Sequence, residues 1–223
     1  MIECASSRTG LQVRGARHTI APQMTTSAST PRLRLTQTWY LVLLLLSVFC
    51  SRPLRSPWDE LLLSSVSLLL VVGGILGRIW CSAFIAGRKD EVLVTTGPYS
   101  LVRHPLYSLS WIAGLGLGLA TRSLVLTAIT LVLLAILFWR AASAEERLLM
   151  NLHGSAFSDY AAVTPRFVPR RLTTALPANI QVLPDVFIKS FRDARAMLLL
   201  YLLICAACRA QQLGMLPTLA RLP

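Results

Sequence analysis

The sequence predicts an all-α protein: a multi-pass transmembrane bundle of about five helices with a polar motif loop at one side. Of its 223 residues, 54% are hydrophobic and only 14% are charged, whereas soluble domains carry about 25% charged residues. The apolar residues also come in blocks of membrane-crossing length. Such spans are helical, because a helix satisfies its own backbone hydrogen bonds within lipid.

Residues 1–37 are rich in serine, threonine and arginine, and Glu3 is their only acidic residue. The segment lacks the apolar core of a secretory signal, so we predict a disordered basic tail on the cytoplasmic side. A transit-like peptide has the same composition, and Met24 is an alternative start. Residues 38–223 then form the integral membrane domain.

Five apolar blocks predict the membrane helices, and polar or helix-breaking residues separate them. In chain order the blocks cover residues 39–50, 61–86, 106–120, 124–139 and 193–213. Only three residues join the third and fourth blocks, which therefore form an antiparallel hairpin. Gly73, Gly74 and Gly77 in the second block allow a neighbouring helix to approach closely.

The net charge of +12 comes from 22 Lys and Arg against 10 Asp and Glu. These basic residues flank the apolar blocks, which fits the positive-inside rule and anionic headgroups, and no nucleic-acid-binding motif accompanies them. We expect a membrane, and no nucleic acid, as the partner. Most basic residues lie on the side of the motif loop, so that side should be cytoplasmic, although Arg52 and Arg55 oppose this orientation.

The five cysteines are an odd number, lie mostly inside apolar segments and lack metal-ligand spacing, so we predict neither a disulfide framework nor a metal site. Cys205 and Cys208 have the C-x-x-C spacing of redox pairs. Because they lie within an apolar helix, we interpret them as small packing residues.

Ionisable residues gather at the open ends of the predicted hairpin. The run 97–107 precedes its first helix and contains Arg103 and His104, while Glu145 and Glu146 follow its second helix. About 15 residues down one helix and a similar number back return the chain to the same depth. His104 and Glu145 should therefore meet in space. Ionisable groups near hydrocarbon are costly, which makes this cluster a candidate functional site.

The residue types of this cluster favour a ligand with mixed charges. Carboxylates and aromatic faces suit a cation, whereas arginine and histidine suit a carboxylate or a phosphate. S-adenosylmethionine combines a sulfonium, an ammonium, a carboxylate and an adenine. A pocket of Tyr, His, Arg and Glu has a group for each of them.

Four pieces of the chain follow one another in a distinctive order. They are Glu91-Val92-Leu93-Val94-Thr95-Thr96-Gly97-Pro98-Tyr99, Arg103-His104-Pro105-Leu106-Tyr107, Glu145-Glu146 followed by Gly154, and Tyr160 followed by Pro165-Arg166-Phe167-Val168-Pro169. In order and spacing they resemble the isoprenylcysteine carboxyl methyltransferase family, which is related to the phospholipid methyltransferases. The similarity covers roughly residues 60–170, and it is far more specific than a lone Arg-His-Pro.

The resemblance implies a membrane enzyme that binds S-adenosylmethionine in a cytosol-facing pocket and methylates a lipid-like or small apolar acceptor entering from the bilayer. It assigns cofactor binding to Glu91, Val92, Leu93, Val94, Tyr99, His104, Pro105, Leu106, Tyr107 and Glu145. The candidate catalytic residues are His104, Glu145 and Glu146, and the candidate substrate-binding residues are Arg103 and Arg140.

One departure from the family concerns the acceptor. Isoprenylcysteine methyltransferases place an arginine one turn before the glutamate pair, but that position is Ala141 here, and Arg140 lies one residue earlier. A one-residue step rotates a side chain by about 100° around a helix.

A carboxylate acceptor, which the resemblance favours, needs no base, whereas an amine or phenol would need Glu146 or His104 to remove its proton.

Other functions are compatible with a small helical membrane protein. A phospholipid or amine methyltransferase is the alternative within the same chemistry. A non-enzymatic transporter or assembly factor is the alternative from another class, but a transporter is expected to carry polar residues at mid-helix, and here they cluster at one face. A reductase of related architecture would need a nicotinamide pocket, which the sequence does not support.

Overall fold

The computed structural model describes residues 29–49, 56–85, 92–171, 173–174 and 184–216. Within these ranges the chain forms six α-helices and one short 3-10 helix, and no strand. In chain order they are α1 Ser29–Phe49, α2 Pro57–Ile85, the 3-10 helix Gly97–Ser100, α3 Pro105–Ala120, α4 Leu124–His153, α5 Ser155–Val163 and α6 Pro184–Gln212. The all-α prediction is confirmed for the part of the chain that is described.

Several helices are longer than the apolar blocks that predicted them. α1 begins at Ser29, so residues 29–37 of the predicted tail are helical, while residues 1–28 lie outside the described ranges. α6 begins at Pro184 instead of residue 193. Polar flanking residues can join a helix because propagation is easier than nucleation. The short α5 follows Gly154, whose φ of 52° ends α4, and was not predicted.

α4 carries the glutamate pair beyond its apolar part without a break. The Ser123 side chain caps its start by accepting a hydrogen bond from the Leu126 N–H at 3.3 Å. The helix has 30 residues, which corresponds to about 45 Å. Because a bilayer core is about 30 Å thick, this length is enough to hold Glu145 and Glu146 at the mouth of the bundle.

α2 and α3 pack with their backbones in close contact, and two glycines of α2 face the interface. A Cβ atom on Gly74 would lie 2.7 Å from the Ala113 Cβ and 2.8 Å from the Leu109 carbonyl oxygen. A Cβ atom on Gly77 would lie 2.6 Å from Leu109 Cδ2, whereas one on Gly73 would meet nothing within 4 Å. Of the three glycines predicted to allow close packing, Gly74 and Gly77 therefore do so and Gly73 does not.

We expect Gly74→Ala to destabilise the protein and Gly73→Ala, which adds the same methyl group in open space, to leave its stability equal or slightly higher. Overpacking typically costs about 1–3 kcal/mol. For a chain of this length, that corresponds to a fall of about 2–12 °C in melting temperature. Thermal unfolding of both variants in one detergent checks this. Equal melting temperatures would contradict the close contact.

The core lies where α1, α2, α3 and α6 meet, and its buried members include Leu43, Val71, Ile75, Ala113, Leu117, Met197 and Ile204. Polar contacts support this packing. The Tyr201 hydroxyl on α6 donates to the Ser64 carbonyl at 3.2 Å and lies 3.3 Å from the Ser67 hydroxyl. α6 is thereby attached to α2.

An ion cluster lies at the end of the bundle formed by the start of α2 and the turn between α3 and α4. Glu60 pairs with Arg122 of that turn at 2.6 Å and lies 3.8 Å from Arg209 near the end of α6. The opposite ends of α2 and α3 therefore face the other side of the molecule, where the candidate site lies.

Among the described residues, α2 and α4 are long and apolar enough to cross a membrane, and Leu35–Val48 and Pro105–Ala120 are shorter apolar helical segments. Large apolar side chains on α2 and α4 are exposed, including Leu61, Leu62, Leu69, Leu76, Val132 and Ile136. Exposed apolar surface of this kind fits a lipid environment. The five-crossing bundle goes beyond these two spans and stays a prediction.

Candidate functional site

The ends of α3 and α4 meet at a buried histidine. His104 Nδ1 lies 3.6 Å from Glu145 Oε2, and His104 Nε2 lies 3.0 Å from Glu146 Oε1. The predicted proximity of His104 and Glu145 is therefore confirmed. The imidazole lies between two carboxylates that come from consecutive residues of α4.

The segment 164–167, which we call the strap, crosses the run that leads into α3. The Arg103 N–H donates to the Pro165 carbonyl at 2.8 Å. The His104 N–H donates to the Arg166 carbonyl at 3.1 Å. Pro105 then begins α3 at a position where its missing N–H costs no helical hydrogen bond. The strap thus holds the backbone at His104 against the end of α4.

The 3-10 helix is held against α2 and α5. Gly97 begins it with a φ of 62°, a conformation that favours glycine, and a Cβ atom there would overlap the Phe84 ring. The Tyr160 hydroxyl of α5 donates to the Tyr99 carbonyl at 2.6 Å. These contacts hold the main chain of the 3-10 helix, which carries Tyr99, against α2 and α5.

A cavity of about 210 Å³ opens beside these groups. Its walls come from the end of α2, the extended segment before the 3-10 helix, that helix, α3, α4 and α5. It is lined by Ile85, Val92, Leu93, Val94, Tyr99, Arg103, His104, Pro105, Leu106, Tyr107, Glu145, Leu149, Phe157 and Tyr160. Every predicted cofactor-binding residue is among them except Glu91, which lies outside the described ranges.

Four lining residues were not predicted: Ile85, Leu149, Phe157 and Tyr160. Leu149 lies four residues after Glu145, one helical turn further along α4, so helical periodicity alone could have indicated it. Phe157 and Tyr160 depend on the turn at Gly154, which directs α5 back over the cavity. The place of Tyr160 in the fourth resembling piece of sequence was the available signal for it, whereas no such signal pointed to Phe157.

The Tyr99 hydroxyl group has no hydrogen-bond partner among the residues that the structure describes. Its side chain is 7% exposed, and the hydroxyl oxygen is buried without a hydrogen bond to any described residue. Burial raises the pKa of the Tyr99 phenol well above its ordinary value, and it also raises that of Tyr160, so both are neutral. An unpartnered buried polar group costs about 1–3 kcal/mol. A ligand that accepts or donates a hydrogen bond there would remove this cost.

Glu145 places a carboxylate at the cavity. The Tyr107 hydroxyl donates to its Oε2 at 3.1 Å, and its side chain is 30% exposed. Glu145 is the glutamate of the pair that lines the cavity. A carboxylate in this position can bind an ammonium or sulfonium group.

Glu146 has a different environment, because both of its oxygens are bound by the protein. Arg103 Nη1 lies 2.9 Å from Oε1, and Arg166 contacts Oε1 at 3.1 Å and Oε2 at 2.7 Å. With His104, three residues surround a carboxylate whose side chain is 16% exposed. Glu146 does not line the cavity. Its described contacts are with Arg103, His104 and the strap, and the catalytic role predicted for Glu146 stays a prediction.

Arg166 is the partner that sequence reasoning left without a role. Besides Glu146, its guanidinium donates to the Ser143 hydroxyl at 2.9 Å and lies 4.5 Å from the centre of the Trp139 ring. Arg166 lies in the fourth of the sequence pieces that resemble the family, and this position was the signal that could have indicated a role for it. It attaches the strap to three successive turns of α4.

The two arginines predicted to bind substrate have different positions. Arg103 lines the cavity, but its guanidinium already donates to Glu146 and, at 3.0 Å, to the Thr164 carbonyl. Arg140 is exposed and does not line the cavity, whereas Ala141 is 5% exposed. The rotation of about 100° per residue turns Arg140 away from the site.

No group of three or more His, Cys, Asp or Glu residues could hold a metal ion within the described ranges. Three cysteines there, Cys81, Cys205 and Cys208, are free thiols. The Cys208 thiol donates to the Ala120 carbonyl at a distance of 3.6 Å. This contact between α6 and α3 fits the packing role predicted for Cys208.

Comparison with known proteins links this site to one family. Residues 63–156 match the phospholipid methyltransferase family. The chain is 35% identical over 173 residues to the nickel-cobalt-cadmium resistance protein NccN of Alcaligenes xylosoxydans xylosoxydans, a match that covers 76% of this chain and 81% of that protein. It is 41% identical over 120 residues to the cobalt-zinc-cadmium resistance protein CzcN of Cupriavidus metallidurans, covering 52% and 55% respectively. No solved structure matches the chain significantly.

Proposed function

This chain belongs to the phospholipid methyltransferase family, and on that premise we propose that it transfers a methyl group from S-adenosylmethionine to a small, lipid-accessible acceptor. One observation carries the proposal. Tyr99 and His104, which lie in one run before α3, line a single cavity at the mouth of the helical bundle together with Glu145, which is far from them in the sequence.

The chemistry of the cavity fits S-adenosylmethionine. Glu145 offers a carboxylate to its cationic groups, and the Tyr99 hydroxyl offers a hydrogen bond that no described residue takes up. Val92, Leu93 and Leu106 offer apolar wall to the adenine. When bound, S-adenosylmethionine supplies an electrophilic methyl group on a positively charged sulfur.

The protein's own contribution is positioning and the exclusion of water. The strap and Glu146 hold His104, whose Nε2 faces Glu146 and whose Nδ1 faces Glu145. A carboxylate acceptor needs no further group. For the alternative, an amine such as a phospholipid headgroup, His104 is the cavity-lining residue that would take the proton, since Tyr99 and Tyr160 are neutral and Glu146 is bound to two arginines.

We also propose that α1, α2, α3, α4 and α6 cross a membrane and that the cavity faces the cytoplasm. The contact between His104 and Glu145 supports this, because it brings the open ends of α3 and α4 to one level. The same side carries Arg103, Arg140, Arg147 and Arg166, which agrees with the positive-inside rule.

NccN and CzcN are named for resistance to metals. We propose that this chain also contributes to metal resistance, and that it does so by transferring a methyl group to a membrane component. The cavity supports a chemical role of this kind, since its carboxylate and imidazole contact each other at the mouth of an apolar bundle. A non-enzymatic transporter or assembly factor is the alternative from another class.

Two measurements on the purified full-length protein test the proposal. Calorimetric titration with S-adenosylmethionine should show binding, and incubation with the methyl-labelled donor and a membrane extract should give a labelled, identifiable acceptor. Absence of binding would refute the cofactor assignment. Binding without any labelled product would favour the non-enzymatic alternative.

Tyr99→Phe gives a sharper test of the unpartnered hydroxyl. We expect this variant to bind S-adenosylmethionine about 2- to 13-fold more weakly, the equivalent of one ordinary hydrogen bond, with a melting temperature equal to or above that of wild type. Tyr201→Phe is the control, because its hydroxyl already has partners on α2. That variant should lose stability and keep its affinity. Unchanged affinity of Tyr99→Phe would exclude a ligand contact at this hydroxyl.

A further inference from the structure

Arg78 differs from the other half-buried arginines of the described residues. Arg103 and Arg166 pair with Glu146, and Arg122 pairs with Glu60. No described carboxylate lies within ion-pair distance of Arg78, which is half-buried on α2. Within the described ranges, α2 is one of the two helices that are both long and apolar enough to cross a membrane. An uncompensated charge in such a helix is costly and marks a functional position.

The Arg78 guanidinium is directed across the interface between α2 and α3. Its Nη1 donates to the Ser110 hydroxyl, which itself donates to the Leu106 carbonyl at 2.5 Å. One of the five N–H donors of Arg78 thus has an acceptor in Ser110, and no anion among the described residues balances its charge.

Helix geometry relates this pair to the cavity. Arg78 precedes Ile85 by seven residues, which places both on one face of α2 about 10 Å apart along the axis. Ser110 follows Leu106 by four residues, which places both on one face of α3. Ile85 and Leu106 line the cavity. Arg78 and Ser110 therefore lie below the cavity, one to two turns further into the bundle.

We infer that Arg78 binds an anionic phosphate or carboxylate group carried by the membrane-borne acceptor. This inference rests on the proposed function. The reacting group of the acceptor would lie in the cavity. The part of the acceptor that joins this group to the apolar tail would then lie next to Arg78 and Ser110. The planar guanidinium fork suits either anion. Arg78 would then determine acceptor specificity, a role for which Arg140 is turned the wrong way.

Binding of three probes with the same tail tests the inference. The full-length protein in a neutral detergent is titrated with oleate, oleyl phosphate and oleyl alcohol, and binding is read by native mass spectrometry. We expect both anions to bind wild type at least about tenfold more tightly than the alcohol, an increment typical of one charge-assisted contact. Tighter binding of oleyl phosphate would identify a phospholipid-type group, and tighter binding of oleate a carboxylate.

Matched variants assign the effect to Arg78. Arg78→Gln should remove the preference for the anions, and Arg78→Lys should keep part of it, because it retains the charge but loses the fork. Arg195→Gln removes the same charge from an exposed position of α6 and should bind as wild type does. The inference is overturned if the alcohol binds as tightly as the anions, if Arg78→Gln retains the preference, or if Arg195→Gln loses it.

A parallel titration with S-adenosylmethionine separates this inference from the proposed function. The Arg78 variants should bind S-adenosylmethionine as wild type does, which also shows that they are folded. Anion preference in a wild-type protein that does not bind S-adenosylmethionine would refute the methyltransferase proposal and support the anion site. Binding of S-adenosylmethionine without anion preference would refute the anion site and support the cofactor assignment.

Discussion

Glu145→Gln should weaken the binding of S-adenosylmethionine by about 10- to 150-fold, because a hydrogen bond to a charged group contributes about 1.5–3 kcal/mol. The substitution removes the charge but keeps the size of the side chain. We expect little change in melting temperature, since the Glu145 side chain is 30% exposed and the amide keeps an acceptor for the Tyr107 hydroxyl. Calorimetric titration and thermal unfolding of the same preparation measure both quantities.

Asp159→Asn is the matched control for this experiment. Asp159 is an exposed acidic residue of α5, one position before the cavity-lining Tyr160. Its neutralisation changes the net charge equally and should leave the affinity unchanged. If Glu145→Gln and Asp159→Asn bound equally well, Glu145 would have no direct role in holding the cofactor.

Glu146→Ala should instead destabilise the protein. It leaves Arg103 and Arg166 without their shared carboxylate, and it removes the group that faces His104 Nε2. Removing one partner of a buried ion pair costs about 3–5 kcal/mol. Because the Glu146 side chain is 16% exposed, water partly compensates, and we expect about 2–3 kcal/mol, or a fall of about 4–12 °C in melting temperature.

The two glutamates thus have opposite expected signatures. Glu145→Gln lowers affinity at constant stability, whereas Glu146→Ala lowers stability first and affinity as a consequence. Glu146→Gln is the conservative test, since an amide keeps one acceptor oxygen and should lose less stability than alanine. A Glu146→Ala variant with an unchanged melting temperature would show that the network around Glu146 does not hold the strap in place.

Sequence reasoning anticipated the parts of the site that depend on helix geometry alone. The length of the hairpin determines where α3 and α4 end, so the contact between His104 and Glu145 followed from counting residues. The all-helical class followed from composition. Both conclusions rest on properties that short stretches of chain possess by themselves.

The remaining features depend on how distant pieces pack together. Arg140 and Arg166 have the same chemistry, and only the rotation of α4 and the course of the strap decide which of them reaches Glu146. Nothing in the sequence around Arg78 indicates that it contacts Ser110 on α3. Such pairings arise from tertiary contacts, which a single sequence does not encode in any local pattern.

The strap also bears on how proteins of this kind can diverge. Its contacts with Arg103 and His104 are made by main-chain carbonyls at positions 165 and 166, and every amino acid possesses such a carbonyl. Replacements at position 165 can therefore accumulate over evolutionary time while the architecture around the imidazole persists. Position 166 has less freedom, since its guanidinium also binds Glu146. A homologue that lacks arginine there would need a compensating cation elsewhere.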